Sequence, residues 1–212
     1  MPTQKYQQLL RGHTIYERVT PPTSFENHTT VLEGTRKWFK DTDPSLPNVG
    51  AGSMRSNRDV LCELVRNVGA ATLLPKRLVK YAAGYVGRRV DGYTCVNYNT
   101  GEIAAGVIDE HLTNGCPVND MCWITVSGPT LIKTSLGADG TNVFSEGTKL
   151  VALTAATSGA TTSGRVQPYE ETSSVTVAQQ QLLNILGVAL SAKTTANTNV
   201  DMLVDMRLLK RE

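Results

Sequence analysis

The chain has no apolar run of the roughly 18 to 20 residues that a membrane-spanning helix requires. Its first residues, MPTQKYQQLLRGHTIYERVTPP, also lack the apolar core of a secretory leader. A soluble protein made in a cytoplasm is expected, with no membrane partner. Histidine is scarce, with three in 212 residues. His13 and His28 lie near the start and His111 in a loop context, so no Ser/His/Asp grouping can be assembled with any specificity. The motifs GxSxG, HExxH and GxxxxGKS/T are missing, as is a GxGxxG between a strand and a helix. Asp109 and Glu110 are adjacent at the end of a strand candidate; neighbours in a strand point to opposite faces, so they cannot form a facing acid–base pair. Asp120 reads as a turn residue leading into a strand. The chain is therefore expected not to be an enzyme, with no catalytic residues.

The four cysteines, Cys62, Cys95, Cys116 and Cys122, form no CxxC. They read as reduced, mostly buried thiols. His111, Cys116 and Cys122 match no common zinc spacing and lack an evident fourth ligand. Neither a metal nor a cofactor is expected. The net charge of +2 is too small to announce a nucleic-acid binder, and no direct nucleic-acid partner is expected. Charge is unevenly spread, however. Residues 56–90 hold Arg58, Arg66, Lys76, Arg77, Lys80, Arg88 and Arg89 against Asp59 and Glu63, while residues 91–212 hold seven basic against twelve acidic side chains. The strip is either a solvated face or a steering surface for subunits or an acidic partner.

Five of the nine prolines, Pro2, Pro21, Pro22, Pro44 and Pro47, fall in the first 55 residues. Proline fixes φ and pushes its predecessor toward extended conformations, so residues 1–55 are predicted to be an extended N-terminal arm. A solvated tail gains nothing from large apolar side chains, yet this one carries Tyr6, Leu9, Leu10, Ile15, Tyr16, Phe25, Trp38 and Phe39. These are candidate anchors for another surface, either a neighbouring subunit's or the chain's own body. After the hinge NVGAGS, residues 56–212 show short apolar bursts between turn residues.

VLCELVRN is read as a strand, paired hairpin-fashion with RLVKYAAGYV. GEIAAGVIDE and GTKLVALT are further strands. DMCWITVSGPTLIKTS reads as two strands meeting at a Gly-Pro turn, with Trp123 in the core. A short helix is predicted over Val177 to Leu186, and GVALSAKT and VDMLVDMRLL form a closing strand pair. The body is thus expected to be mainly β, a small barrel or sandwich with one short helix.

Several pieces, taken in order, resemble the small β-rich capsid decoration (cement) proteins of tailed phages. They are Gly106-Val107-Ile108, Asn119-Asp120 through Trp123 to Pro129, Gly147-Thr148-Lys149-Leu150, and Leu186-Gly187-Val188-Ala189-Leu190 running into Val200 to Leu209. The resemblance covers residues 60 to 209 and consists of turn glycines and apolar strands in a given order. It implies a β-tulip-like body that sits on the outside of the virion, commonly as a homotrimer. There it binds the major capsid protein where shell subunits meet and reinforces the shell against internal pressure. No active site is needed for such a task. A receptor- or glycan-binding head spike or fibre component is the alternative, with the Ser/Thr-rich stretch Thr154 to Gly164 as an outward tip.

Overall fold

The computed structural model describes residues 17–19, 32–42, 54–92, 104–134, 143–152, 164–169, 185–194 and 199–205. Among these there is no helix, and the regular structure is eleven strands. They are β1 (Arg18–Val19), β2 (Arg36–Thr42), β3 (Met54–Asn67), β4 (Leu78–Tyr81), β5 (Arg89–Gly92), β6 (Ala104–Ile108), β7 (Met121–Lys133), β8 (Lys149–Ala152), β9 (Val166–Pro168), β10 (Ile185–Ala189) and β11 (Asn199–Asp205). The mainly β body expected from the short apolar bursts is the one found.

All eleven strands belong to one sheet, ordered β2-β3-β5-β4-β6-β7-β11-β10-β8-β9, with β1 beside β7. Because β3 also pairs antiparallel with β7, strands β3, β5, β4, β6 and β7 close on themselves as a ring. Closure hides strand edges that would otherwise present unpaired N–H and C=O groups. Beyond Ser127, β7 leaves β3 and takes β11 as its partner, from Asp205↔Ser127 to Asn199↔Lys133. A parallel bridge between Thr134 and Val166 then brings β9 back to the end of β7.

The sequences of β3 and β7 explain their central place. VLCELV and MCWITV are nearly continuous apolar runs, the pattern of strands covered on both faces rather than one. In β7, Cys122, Ile124 and Val126 enter the large core, which runs from Val65 and Val107 to Leu150, Val166 and Leu186. The intervening Met121 and Trp123 enter a second cluster with Leu32, Val60, Cys62 and Leu64. Strand alternation therefore divides one apolar run between two cores.

Two local expectations are corrected, and a third lies almost wholly outside the described residues. Gly128-Pro129 is not a turn: β7 runs straight through it as a single strand. Gly128 takes a φ of 118°, and a Cβ there would lie 2.8 Å from the Asp59 carbonyl oxygen. Glycine thus permits β3 to pass close by where β7 changes neighbours. The VLCELVRN and RLVKYAAGYV segments form no hairpin either, since β5 lies between β3 and β4, parallel to β3 and antiparallel to β4. The helix predicted over Val177 to Leu186 falls mostly outside the described residues, and Ile185 and Leu186 open β10 instead. The closing pair is as expected, with β10 antiparallel to β11.

Candidate interaction surface

Two pieces of the proline-rich first quarter are strands of the sheet. Arg18 and Val19 lie opposite Cys122 and Met121 of β7. Strand β2 pairs with β3 from Arg36↔Glu63 to Thr42↔Met54, and it stands at one end of the strand order. Strand alternation splits its side chains. Phe39 turns toward the second core, where its ring meets Trp123 edge-on at 5.0 Å and 73°. Such edge-to-face pairs are favourable beyond the area they bury. Lys37, on the same strand face, places its ammonium 4.7 Å from the Phe39 ring centre, which adds a cation–π contact.

On the other face of β2, Trp38 is 59% exposed. It is flanked by Arg36 and Lys40, both exposed and each tied to β3. Arg36 donates to Glu63 at 3.0 Å and Lys40 to Asp59 at 2.5 Å. A large aromatic ring is thus held in solvent by a strand fixed from behind, between two charged side chains of set position.

The turn that leads into β2 is pinned by charge. The parallel register places Arg66 of β3 opposite Arg89 of β5. Like charges directly across a sheet repel. The Glu33 carboxylate, whose side chain is 1% exposed, accepts from Arg66 Nε and, at 2.8 Å, from Arg89 Nε. That bond is the main reason the Arg89 guanidinium holds its proton more tightly than usual. Gly34, at a φ of 84°, completes the turn and donates to the Leu64 carbonyl at 2.7 Å. A second buried carboxylate, Glu63, accepts from Arg36 and from the Tyr81 hydroxyl at 3.0 Å. Burial foremost, then the Glu63 charge, pushes the Tyr81 phenol upward.

These carboxylates are locked in pairs rather than aimed at a substrate. Two of the thiols are no better placed for chemistry. Cys62 is pushed up by burial, and Cys122 by its hydrogen bond to Cys116 and then by burial, so neither offers a ready thiolate. Among the described residues no three His, Cys, Asp or Glu side chains group as metal ligands. Trp123 is fully buried, as its alternating context suggested.

Of the eight anchor candidates, the structure brings Trp38 and Phe39 together on β2, one facing out and one facing in. Tyr6, Leu9, Leu10, Ile15, Tyr16 and Phe25 lie outside the described residues, as does Cys95. Sequence reasoning missed the roles of Arg36 and Lys40 beside Trp38. The RKWFK spacing, which puts residues 36, 38 and 40 on one face of a strand, was the available signal. The basic strip also divides: Arg66 and Arg89 turn toward Glu33, while Arg58 and Arg88 are exposed.

No protein-family model and no curated protein matches the chain. Two solved structures resemble it. One is the head fiber gp8.5 N base of bacteriophage phi29, at 12% identity over 68% of this chain and 93% of that chain, with a TM-score of 0.39. The other is a chain of the capsid of Myoviridae phage XM1, at 14% identity over 65% of this chain and 79% of that chain, with a TM-score of 0.36.

Proposed function

We propose that the chain is a structural component of a tailed-phage virion, a decoration protein that binds the outer surface of the capsid where major capsid subunits meet and stabilises the shell. The observation that carries the reading is Trp38. A tryptophan 59% exposed, on a strand anchored from behind by Phe39 on Trp123, has its burial in reserve for a partner. Tryptophan and arginine dominate the energetic centres of protein interfaces, and Arg36 stands beside Trp38 on the same strand face. The ordered strand pieces that resemble decoration proteins, from Gly106-Val107-Ile108 to the closing pair, support the same reading. On it, Tyr6, Leu9, Leu10, Ile15, Tyr16 and Phe25 add grip from an N-terminal arm. Copies sit together as a homotrimer, no nucleic acid or membrane is engaged, and no reaction is catalysed.

The test is co-sedimentation of the full chain with empty shells assembled from the major capsid protein of the same virus. A saturable, fixed ratio of the two proteins is expected. Trp38→Ala, which alters an exposed position and spares the fold, is expected to weaken binding about 30-fold, corresponding to about 2 kcal/mol for an interface anchor. No sedimentation with shells, or equal binding by the variant, overturns the reading. The exposed ring also suits stacking on a sugar. Glycan binding lost in Trp38→Ala, with no affinity for shells, identifies a receptor-binding head spike instead.

A further inference from the structure

The loop between β4 and β5 sits against the start of β2. A Cβ on Gly34, two residues before Arg36, would lie 2.7 Å from the Gly87 carbonyl oxygen and 3.4 Å from the Arg88 Cγ. A Cβ on Gly87 would in turn stand 3.9 Å from Glu63 Oε1, and the other oxygen of that carboxylate accepts from Arg36 Nε at 3.0 Å. Glu63 thus lies between the loop and the strand face that carries Arg36 and Trp38. The loop is bonded within itself. The Ala82 N–H donates to the Arg89 carbonyl and the Tyr85 N–H to the Ala82 carbonyl, both at 3.0 Å, and the Tyr85 carbonyl accepts from the Arg88 and Arg89 N–H groups, both at 3.1 Å. A surface shaped in advance loses little freedom when a partner settles on it.

This loop presents Tyr85, 39% exposed, Val86, 54% exposed, and the exposed Arg88. Arg89 turns the other way: its guanidinium lies over the Tyr85 ring, 4.5 Å from the centroid, while its Nε donates to Glu33. The stack holds the ring in place. Neither GTRKWFK (34–40) nor AAGYVGRR (82–89) contains an acidic residue. Glu33 and Glu63, which bond to these segments, are buried, and the exposed Asp59 accepts from Lys40. The heads turned to solvent are therefore aromatic, aliphatic and cationic. Nucleic acid asks for something else, several cations along a phosphate backbone and open rings on which bases stack. Here Arg89 is committed to Glu33 and covers one face of Tyr85, and Val86 offers apolar contact alone. Exposed Trp, Tyr and Arg beside an aliphatic side chain match the centre of a protein interface, and cations facing outward select a surface of the opposite sign.

We propose that Tyr85, Val86 and Arg88 continue the Trp38 surface, and that the combined face docks an acidic protein surface, with carboxylates opposite Arg88 and Arg36 and apolar side chains opposite the two rings and Val86. The inference rests on the shell-binding reading and gives that partner a chemistry: the shell face that receives the chain is acidic.

Co-sedimentation of the full chain with empty shells of the same virus, over a series of sodium chloride concentrations, tests it. Affinity is expected to fall as salt rises, because charges facing each other across an interface are screened. Tyr85→Ala and Arg88→Gln are each expected to weaken binding about 10-fold. Arg88→Glu should weaken it further, and Arg88→Gln should flatten the salt dependence. Lys149→Glu, on β8 and far from β2 in the strand order, should bind as the parent does. Circular dichroism melting should match the parent in each variant; Arg88→Gln keeps the side chain's Cβ and Cγ, so it carries the test if Tyr85→Ala does not fold. Shells that hold the parent and release Trp38→Ala, yet bind Arg88→Gln, Arg88→Glu and Tyr85→Ala as tightly as the parent, would overturn this inference and leave the shell-binding reading standing. Failure of the parent to bind shells overturns both. Single-stranded DNA bound by the parent and released by Arg88→Gln, with shell binding equal in the two, would assign the loop to nucleic acid and overturn the inference as well.

Discussion

Replacing Glu33 with glutamine removes the negative charge that lies between two guanidiniums set opposite each other by the β3–β5 register. The shape of the side chain is kept, so the loss is electrostatic. Breaking a buried ion pair by removing one partner costs about 3 to 5 kcal/mol, because the remaining charge stays desolvated and uncompensated. Here the stranded partners are not fully enclosed: the Arg66 and Arg89 side chains are 13% and 25% exposed. Arg66 also keeps a second acceptor, the Asn119 carbonyl at 3.2 Å. The cost should therefore fall at the low end, about 3 kcal/mol.

Urea unfolding is the assay. With a slope of about 2 kcal/mol per molar, the midpoint should drop by about 1.5 M at unchanged slope. Adding Arg89→Leu to Glu33→Gln should recover part of the loss, since it removes one of the two facing cations, with a coupling of about 1 kcal/mol or more. A loss below about 1 kcal/mol for Glu33→Gln, or strict additivity in the double variant, would refute the idea that this carboxylate pins the turn. Because the turn feeds directly into β2, Glu33→Gln should also loosen the presentation of Trp38 and weaken shell binding.

Gly128→Ala should destabilise the fold by about 2 kcal/mol or more, because it combines a positive φ with a clash against β3 backbone; a melting temperature equal to the parent's would contradict the account of the crossover. Asn67→Ala should cost about 2 to 4 kcal/mol in a denaturant titration. Its amide donates to the Ala71 and Cys116 carbonyls and its carbonyl accepts from Gly69, so loop 68–72 should also lose hydrogen-exchange protection. Tyr81 gives a pH signature. Its phenol is raised above the usual 10.0, so the folded chain keeps a proton that the unfolded chain releases. Stability is then fully present below pH 10 and falls as the pH climbs past it. Tyr81→Phe should be less stable at neutral pH, through the lost bond to Glu63, and should show a flatter alkaline decline when unfolding is followed by circular dichroism.

Much of the architecture could be read from residues close together in the chain. The strands β6, β8 and β11 and the latter part of β10 were legible as apolar bursts between turn residues, and Trp123 as core, because both depend on local alternation. The errors share one cause. Gly128-Pro129 carries turn chemistry, but whether the chain turns there depends on β11 offering a continuous partner and β3 passing within contact. A hairpin of β3 with β4 was the shortest connection available, yet the closing of the ring inserts β5 between them. At the candidate surface, Trp38 and Phe39 were visible as outsized side chains in a proline-rich stretch. Which of them faces outward was not.

The apolar character of most strand segments and the two large aromatic side chains at positions 38 and 39 are legible in the sequence alone, because each rests on neighbours a few residues apart. Tertiary structure decided what the charges do. Glu33, Arg66 and Arg89 are distant in the chain, and only the parallel β3–β5 register turns three unremarkable surface residues into one buried latch. Charge acts through space, and distance in space is set by pairing between strands that the chain order does not specify.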